Sequence, residues 1–171
     1  YPRQLPFVSG CEGGGEVVAH TAASKDGSSL TLVGAQCVYF DYEHGSYAEY
    51  TLVPESRVFQ VPHGIAIDVA AASLVQGLTA QYLTASTFNV GSEHSCLVHA
   101  AAGGTGRLIC QMAKLRGARV VAVVGSSDKL PLVAGIADHA LVAEPGMSVD
   151  DAAKLVRPLS SNGEGFDVVY D

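Results

Sequence analysis

Residues 101–106 read Ala-Ala-Gly-Gly-Thr-Gly, a pattern suited to binding the phosphates of a nucleotide. They stand between an apolar run that predicts a strand and a stretch with helical spacing. Ala101, Gly103 and Gly106 fall on the three glycine positions of the dinucleotide fingerprint, with alanine replacing the first glycine. Gly103 would let the backbone approach a pyrophosphate, and Gly106 would let the helix pack closely on the strand. A tight turn without a ligand is the alternative.

A second polar group, Gly125-Ser126-Ser127-Asp128-Lys129, follows the next predicted strand. An NAD site usually carries an acid about 20 residues after the glycine turn, where it binds the ribose 2′-hydroxyl. No acid stands at the tip of this strand, and the hydroxyls of Ser126 and Ser127 with the ammonium of Lys129 suit a 2′-phosphate. The pattern therefore favours NADPH, although Asp128 is a nearby acid. Ser126 or Ser127 could instead cap the following helix.

Both groups require a frame that sets them at strand ends, and the second half of the chain predicts one. Strands and helices alternate there, and the strands are continuous apolar runs, as in sheets covered on both faces. This β-α-β-α-β-α-β order predicts a parallel sheet. The predicted strands are 95–100, 119–124, 139–142 and 166–170, and the predicted helices are 107–116, 127–135 and a third that Ser148 caps and that ends at Arg157.

The first half of the chain has a different character, rich in predicted strands and loops. The predicted strands are 15–20, 37–40, 47–53 and 58–61. The polar stretch 22–34 predicts a surface loop. A helical stretch capped by Asp68 runs to about Ala85, and Gly77 is expected to divide it into two helices.

Composition limits the possible classes of protein. The chain has 171 residues, of which 48% are hydrophobic and 16% charged, and its net charge is −7. This excludes disorder as the main state and argues against a nucleic-acid partner, which usually meets a basic surface. No apolar run is long enough to suggest a membrane span. The four scattered cysteines indicate reduced thiols in an intracellular, most simply cytoplasmic, compartment.

Several stretches together resemble the zinc-independent quinone oxidoreductase branch of the medium-chain dehydrogenase/reductase superfamily. They are LPFVSGCEGGGEVV, GSYAEYTLVP, SLVQGLTAQYL, LVHAAAGGTG, SSDK and GFDVVYD. Within that branch the chain is similar to prostaglandin reductase 3-type enone reductases. The resemblance implies an α/β chain in which part of a GroES-like β domain (1–67) and linking helices (68–94) precede the first half of a Rossmann doubly wound sheet (95–171).

The resemblance also implies an activity, a cofactor and partners. NADPH would donate a hydride to a small-molecule quinone or to the C=C bond of an α,β-unsaturated ketone, in a homodimer with no membrane or nucleic-acid partner. The chain looks like an internal fragment, about half of a family member. Alone it is expected to be inactive and to bind NADPH weakly.

The resemblance assigns cofactor-binding residues but no catalytic residue. Tyr39 and Tyr42 lie near a family substrate loop and could donate a hydrogen bond, with aromatic packing as the alternative for both. The chain departs from the family at Ala143, where a tyrosine often lies near the adenine, and at SSDK, which is often SSDEK. The expected cofactor-binding residues are Thr79, Ala102, Gly103, Gly104, Thr105, Gly106, Gly125, Ser126, Ser127 and Lys129.

No metal is expected. Cys11 stands where zinc alcohol dehydrogenases have a zinc-binding histidine, but its partner position is Gln76, and only Cys37 lies near the segment of their four-cysteine lobe. Two alternatives stay open, a zinc-dependent alcohol dehydrogenase and a non-catalytic NADPH-binding protein, because a fold does not determine a function.

Overall fold

The computed structural model describes residues 4–20 and 32–171. Residues 21–31, most of the predicted surface loop 22–34, therefore lie outside the described part of the chain. Two compact units divide the chain, Tyr1–Val75 and Gln76–Asp171. Among the described residues, no helix combines the length and the apolar character needed to cross a bilayer.

The first unit contains a three-stranded antiparallel sheet. Its strands are β1 (Glu12–Glu16), β2 (Gln36–Phe40) and β3 (Val58–Gln60), in the order β1-β2-β3. Strands β2 and β3 lie close to the predicted positions, because both are rich in the β-branched and aromatic residues that favour strands. The side chains of Cys37 and Val38 in β2 are buried.

Strand β1 corrects the predicted strand at 15–20, which overlaps it at only two residues. Glycine is depleted in strands, so the segment EGGGE was not expected to form one. A Cβ added to Gly13 would lie 2.7 Å from the Tyr39 hydroxyl, and one on Gly14 would lie 2.9 Å from Ile67 Cγ1. The side chains of Tyr39 and Ile67 therefore occupy the space that side chains at Gly13 and Gly14 would need.

The predicted strand at 47–53 is wrong. Its alternation is regular, but the backbone N–H groups of Ser46 and Tyr47 both donate to the carbonyl of Ser9, at 2.8 and 3.0 Å. The segment joins neither of the two sheets formed by the described residues. The side chains of Tyr50 and Leu52 are largely exposed. An alternating pattern needs a partner strand as well as an apolar face.

Helix α1 (Ile67–Gln81) continues without a break through Gly77, so the predicted division there is wrong. A single glycine costs a helix only about 1 kcal/mol, which a 15-residue helix tolerates. Asp68 lies in the first turn of α1 rather than before it. The irregularity comes later, because a π helix (Tyr82–Thr87) follows α1 directly.

The second unit contains a four-stranded parallel sheet in the order β6-β5-β4-β7. The strands are β4 (Ser95–Val98), β5 (Arg119–Val124), β6 (His139–Val142) and β7 (Val168–Tyr170). Every residue of β4 and all but the first of β5 are buried, as their apolar runs predicted. One face packs a larger cluster that includes Val98 and Ile109, and the other packs Leu97 and Val121.

The connections between these strands are mostly helical. Helix α2 (Gly104–Leu115) joins β4 to β5, and α3 (Val149–Val156) lies between β6 and β7. Ser148 caps α3 as predicted, because its Oγ accepts the N–H of Asp151 at 3.2 Å. The helix predicted at 127–135 is instead a 3₁₀ helix (Ser127–Val133) with Pro131 inside it, since proline removes a backbone donor.

Candidate nucleotide-binding site

A cavity of about 510 Å³ opens in the second unit at the carboxyl ends of β4 and β7. These strands are neighbours in the sheet although two other strands, β5 and β6, stand between them in the chain, so the strand order changes direction at β4. Parallel α/β sheets bind ligands at this kind of switch point. The cavity is lined by Thr79, Leu83, His99, Ala100, Gly103, Gly104, Thr105, Gly106, Ile109, Val169, Tyr170 and Asp171.

The glycine turn forms one wall of the cavity. Gly103 is the N-cap of α2 and donates its N–H to the carbonyl of Ala100 at 2.8 Å. No side chain caps the helix and no acid lies in its first turn, so the N–H groups of Gly104 and Thr105 are not engaged by a cap. These N–H groups and the positive end of the helix dipole suit an anion.

The glycines of this turn have no room for side chains. A Cβ on Gly106 would lie 2.5 Å from the carbonyl oxygen of Ala100 and 2.9 Å from Cα of Ala101. This is the close helix-to-strand packing that the sequence predicted for Gly106. A Cβ on Gly104 would lie 1.6 Å from Oε1 of Gln76. Gly106 therefore requires glycine, because its obstacles are backbone atoms, whereas a side chain at Gly104 would require the Gln76 carboxamide to move.

The strand end before the turn has a strained backbone. Ala100 has φ of +47°, in the left-handed region that non-glycine residues rarely adopt. In the sequence fingerprint, Ala101 is the alanine that replaces the first glycine, and its side chain is fully buried. The positive φ occurs one residue earlier, at Ala100. Strained residues are frequent beside binding sites.

The predicted site residues divide into two groups. Thr79 lines the cavity together with the turn residues from Gly103 to Gly106. Ala102 packs against the hydrophobic core instead of the cavity. The second group lies apart from the cavity, after the end of β5, and consists of Gly125, Ser126, Ser127 and Lys129.

The second group has its own hydrogen bonds. Ser126 occupies the N-cap position of the 3₁₀ helix but makes no capping bond with its side chain, so the capping alternative does not apply to it. The Ser126 hydroxyl bonds instead to the Asp128 carboxylate and lowers the pKa of that acid, and Lys129 lowers it further. An ionised acid and an exposed ammonium therefore lie side by side at this strand end.

Sequence reasoning missed several lining residues, among them His99, Tyr170 and Asp171. The backbone N–H of His99 donates to the carbonyl of Tyr170 at 2.8 Å, which joins the two strand ends. Burial raises the pKa of Tyr170 to about 12, so its hydroxyl stays protonated at neutral pH. The strand order identifies these residues, because His99 directly follows β4, Tyr170 ends β7 and Asp171 directly follows it.

The two tyrosines of the first unit are engaged in packing. Tyr39 lies over Gly13 and hydrogen-bonds with Thr51, and burial raises its pKa. The ring of Tyr42 packs edge-on against Phe40, with centroids 4.7 Å apart. This geometry favours the packing alternative for both, and the catalytic residue stays unassigned.

The donors for a metal ion are scattered. Within residues 4–20 and 32–171, no three histidine, cysteine, aspartate or glutamate side chains are grouped as a metal site requires. Cys11 is a free, half-buried thiol, and Gln76 offers an amide oxygen near Gly104 rather than a thiolate.

A switch-point cavity beside a glycine turn defines the Rossmann class of fold, and comparison with known proteins narrows this class. No protein-family model matches the chain. A probable quinone oxidoreductase of Schizosaccharomyces pombe is 36% identical over 100% of this chain and 49% of its own. Mouse prostaglandin reductase-3 is 34% identical over 97% of this chain and 41% of its own. A mycobacterial protein solved in complex with NADPH superposes with a TM-score of 0.91 and 37% identity, over 100% of this chain and 51% of its own.

The chain therefore belongs to the quinone oxidoreductase branch of the medium-chain dehydrogenase/reductase superfamily. It spans about half the length of the relatives it matches. The expected α/β architecture, an antiparallel sheet followed by a parallel one, is confirmed.

Proposed function

We propose that the chain is part of an NADPH-dependent oxidoreductase that transfers a hydride to a quinone or to the C=C bond of an α,β-unsaturated ketone. The observation that carries this proposal is the cavity at the switch point, bounded by a helix N-terminus with no side-chain cap and no acid in its first turn. The similarity to a probable quinone oxidoreductase and to a prostaglandin reductase supports it.

The residues present fit a dinucleotide. The N–H groups of Gly104, Thr105 and Gly106, in the first turn of α2, would hold the pyrophosphate. The hydroxyl of Thr79, which also lines the cavity, would approach the phosphate on the nicotinamide side. When bound, NADPH supplies the hydride, and a proton from water or a side chain completes the reduction.

The adenosine 2′-phosphate would lie at the end of β5. Ser126, Ser127 and Lys129 supply hydroxyl groups and a positive charge there. Asp128 is ionised because the Ser126 hydroxyl lowers its pKa. Lys129 must therefore offset the charge of Asp128 before it favours a 2′-phosphate, which makes it the decisive residue for cofactor choice.

The test compares NADPH with NADH in amide chemical-shift titrations, which measure weak binding. We expect NADPH to shift the amides of Gly103–Gly106 and to bind about tenfold more tightly than NADH. Lys129→Ala should remove most of that preference. Lys154→Ala, which removes an exposed lysine paired with Asp151 in α3, is the matched control and should retain it. Equal binding of the two nucleotides would contradict the NADPH assignment.

Activity is tested by NADPH oxidation with a panel of 1,4-quinones and enones, using the protein that carries this chain. Turnover with either class supports the reductase proposal. Binding of NADPH without turnover across the panel would select the non-catalytic alternative.

Three finer proposals accompany this function. Zinc-free chemistry is supported by the carboxamide of Gln76, a poor zinc ligand, and stoichiometric zinc in a metal analysis would refute it. A reducing compartment such as the cytoplasm is supported by four free cysteines and is tested by cell fractionation. A homodimer rests on the family resemblance and is tested by sedimentation.

The domain limits also stay proposals. We place the β domain at 1–67, linking helices at 68–94 and the nucleotide-binding domain at 95–171. The division between compact units falls at Val75 and Gln76, inside α1 and within the proposed linking segment. Limited proteolysis that cuts in 68–94 before either flanking domain would support these limits, whereas initial cuts inside 95–171 would refute them.

A further inference from the structure

In the π helix after α1, two successive backbone carbonyls accept hydrogen bonds from side chains of other elements. The Leu83 carbonyl accepts the N–H of Phe88 at 3.3 Å, the five-residue spacing of a π helix. The next carbonyl, that of the fully buried Thr84, accepts a hydrogen bond from Nη1 of Arg116. A wide helical turn is thus held by a charged donor at a buried position.

Within residues 4–20 and 32–171, the Arg116 side chain makes no other hydrogen bond. Arg116 is half-buried and is the C-cap residue of α2. Among the residues that the structure describes, no carboxylate forms an ion pair with it. The Thr84 hydroxyl donates to the Ala80 carbonyl at 2.8 Å and lies 3.9 Å from Sδ of Met112, so a second side chain of α2 packs against the π helix.

Tyr170 holds the same turn from the sheet. Its hydroxyl donates to the Leu83 carbonyl at 3.4 Å. This long hydrogen bond supplements the one from Arg116 to the neighbouring carbonyl. Its ring is buried at the end of β7 and lines the cavity. The π helix is therefore hydrogen-bonded by Tyr170, at the end of β7, and by Arg116, at the C-terminal end of α2.

The face of the helix above these anchors is a wall of the cavity. Thr79 and Leu83 are four residues apart, so they lie on one helical face, and both line the cavity. The first turn of α2, from Gly104 to Gly106, forms another wall of the cavity. Arg116 ends the same helix, so it ties the two walls together.

We propose that Arg116 is a positioning residue for the dinucleotide: by holding the Thr84 carbonyl, it sets the distance between the Thr79–Leu83 wall and the N-terminus of α2. This inference rests on the proposed NADPH binding. It adds a residue that touches no part of the cavity, since Arg116 is not among the lining residues.

The test measures dissociation constants of two probes, NADPH and 2′,5′-ADP, by amide titration of the chain and its variants. NADPH would span the cavity, whereas 2′,5′-ADP carries only the adenosine half, near the end of β5. Arg116→Met keeps the length of the side chain and removes the donor. We expect it to weaken NADPH about tenfold and 2′,5′-ADP less than twofold. Arg116→Lys, which restores a cationic donor, should recover at least half of the lost affinity on a logarithmic scale.

Lys114→Met is the matched control. It removes a positive charge from the last turn of α2, but the partner of Lys114 is Asp138 and not the π turn. Its NADPH affinity should equal that of the native chain. Tyr170→Phe removes only the weaker anchor and should weaken NADPH about twofold.

The outcomes separate the two proposals. If neither probe binds the native chain, the proposed function fails and the positioning role falls with it. If NADPH binds the native chain and Arg116→Met equally, only the positioning role is refuted. If Arg116→Met weakens both probes in parallel, or Arg116→Lys restores nothing, Arg116 supports the fold in general and the proposal is also refuted.

Discussion

The two compact units of this chain hold their sheets together in different ways. In the parallel sheet of the second unit, β4 and β5 bury nearly every side chain and helices cover both faces. In the antiparallel sheet of the first unit, β1 is three-fifths glycine, and exposed aromatic side chains such as Tyr47 and Tyr50 lie nearby in the chain. The comparison teaches that the second unit depends on apolar burial, whereas the first depends on close approach and on polar anchors.

The largest contrast is expected in cysteine reactivity. Burial raises the pKa of Cys96 to about 12 and that of Cys110 to about 11. At pH 8 the reactive thiolate of Cys96 is then about a thousandfold scarcer than in an exposed thiol of pKa about 8.5. Cys11 in the first unit is half-buried. Iodoacetamide labelling followed by mass spectrometry should modify Cys11 first, and Cys96 and Cys110 only on unfolding.

Cys11→Ser is the control for this labelling and should remove the fast phase. Rapid labelling of Cys96 in the folded chain would show that the parallel sheet opens far more readily than its burial implies, and the contrast between the units would not hold.

Alanine substitutions at glycines compare what blocks each position. The Gly106→Ala variant should lose about 3 kcal/mol of unfolding free energy, because its Cβ would meet backbone atoms of Ala100 and Ala101 that cannot move aside. The Gly13→Ala variant should lose about 1 kcal/mol, since its obstacle is the hydroxyl and ring edge of the Tyr39 side chain, which can move more readily than backbone. Urea unfolding measures both.

Gly15→Ala is the matched control in β1, because a Cβ at Gly15 meets nothing within 4 Å. Its stability should stay within about 0.5 kcal/mol of the native value. A loss at Gly13 as large as that at Gly106 would indicate that the antiparallel sheet is as rigidly packed as the parallel one.

A buried carboxylate anchors the first unit. Asp41 is 1% exposed and accepts hydrogen bonds from Nδ1 of His44 at 2.6 Å, from the N–H of Glu43 at 3.2 Å, and from Arg57. Asp41→Asn weakens these bonds while Arg57, partly exposed, remains solvated. We expect a loss of about 2 kcal/mol at pH 7, measured by urea unfolding.

The same carboxylate predicts a pH dependence. Burial alone would raise the pKa of Asp41, but its bonds to His44, Glu43 and Arg57 together hold the pKa below its usual value. Because the folded pKa lies below the unfolded one, the stabilisation is complete above about pH 4 and is lost as the pH falls through the folded value. Amide exchange at pH 7 and pH 3 should show the first unit losing protection, and Asp41→Asn should remove that difference.

Asp167 is the comparison in the second unit. Hydrogen bonds from the N–H and hydroxyl of Ser95 lower its pKa, but the residue is exposed. Asp167→Asn should therefore change the acid sensitivity less than Asp41→Asn does. A larger effect of Asp167→Asn would contradict the difference in polar anchoring between the units.

The smallest expected effect is a gain in stability. Ala100→Gly relieves the positive φ at the end of β4 and should stabilise the chain by about 0.5–1 kcal/mol, seen as a rise in Tm of about 2 °C. Ala102→Gly, at a residue without positive φ, is the control and should not raise Tm. A lower Tm for Ala100→Gly would show that the strain is compensated by contacts of the alanine methyl group.

Much of the second unit could be predicted from the sequence. The apolar runs of β4 and β5 and the Ser148 cap of α3 each carry a signal within a few neighbouring residues, and the structure agrees at each. The strand β1 could not be predicted, because its stability depends on Tyr39 and Ile67 filling the space above its glycines. The predicted break at Gly77 was wrong, since the free-energy cost of one glycine is small compared with the stabilisation of a long helix.

The candidate site follows the same division. The glycine turn from Gly103 to Gly106 could be predicted from residues 101–106 alone, because its glycines are close together in the sequence. The roles of His99, Tyr170 and Arg116 could not be predicted from the sequence, since these residues lie far apart in the chain. The strand order and the contacts of the π helix bring them to the same site.

By itself the sequence determined the parallel strands, the glycine turn and the polar residues at the end of β5, because each depends on local composition and periodicity. Only the tertiary structure decided that β7 pairs with β4, that the cavity opens between them, and that Arg116 reaches the Thr84 carbonyl. The physical reason is that local sequence specifies a strand or a turn, whereas contacts between distant residues arise from packing whole elements around a common core.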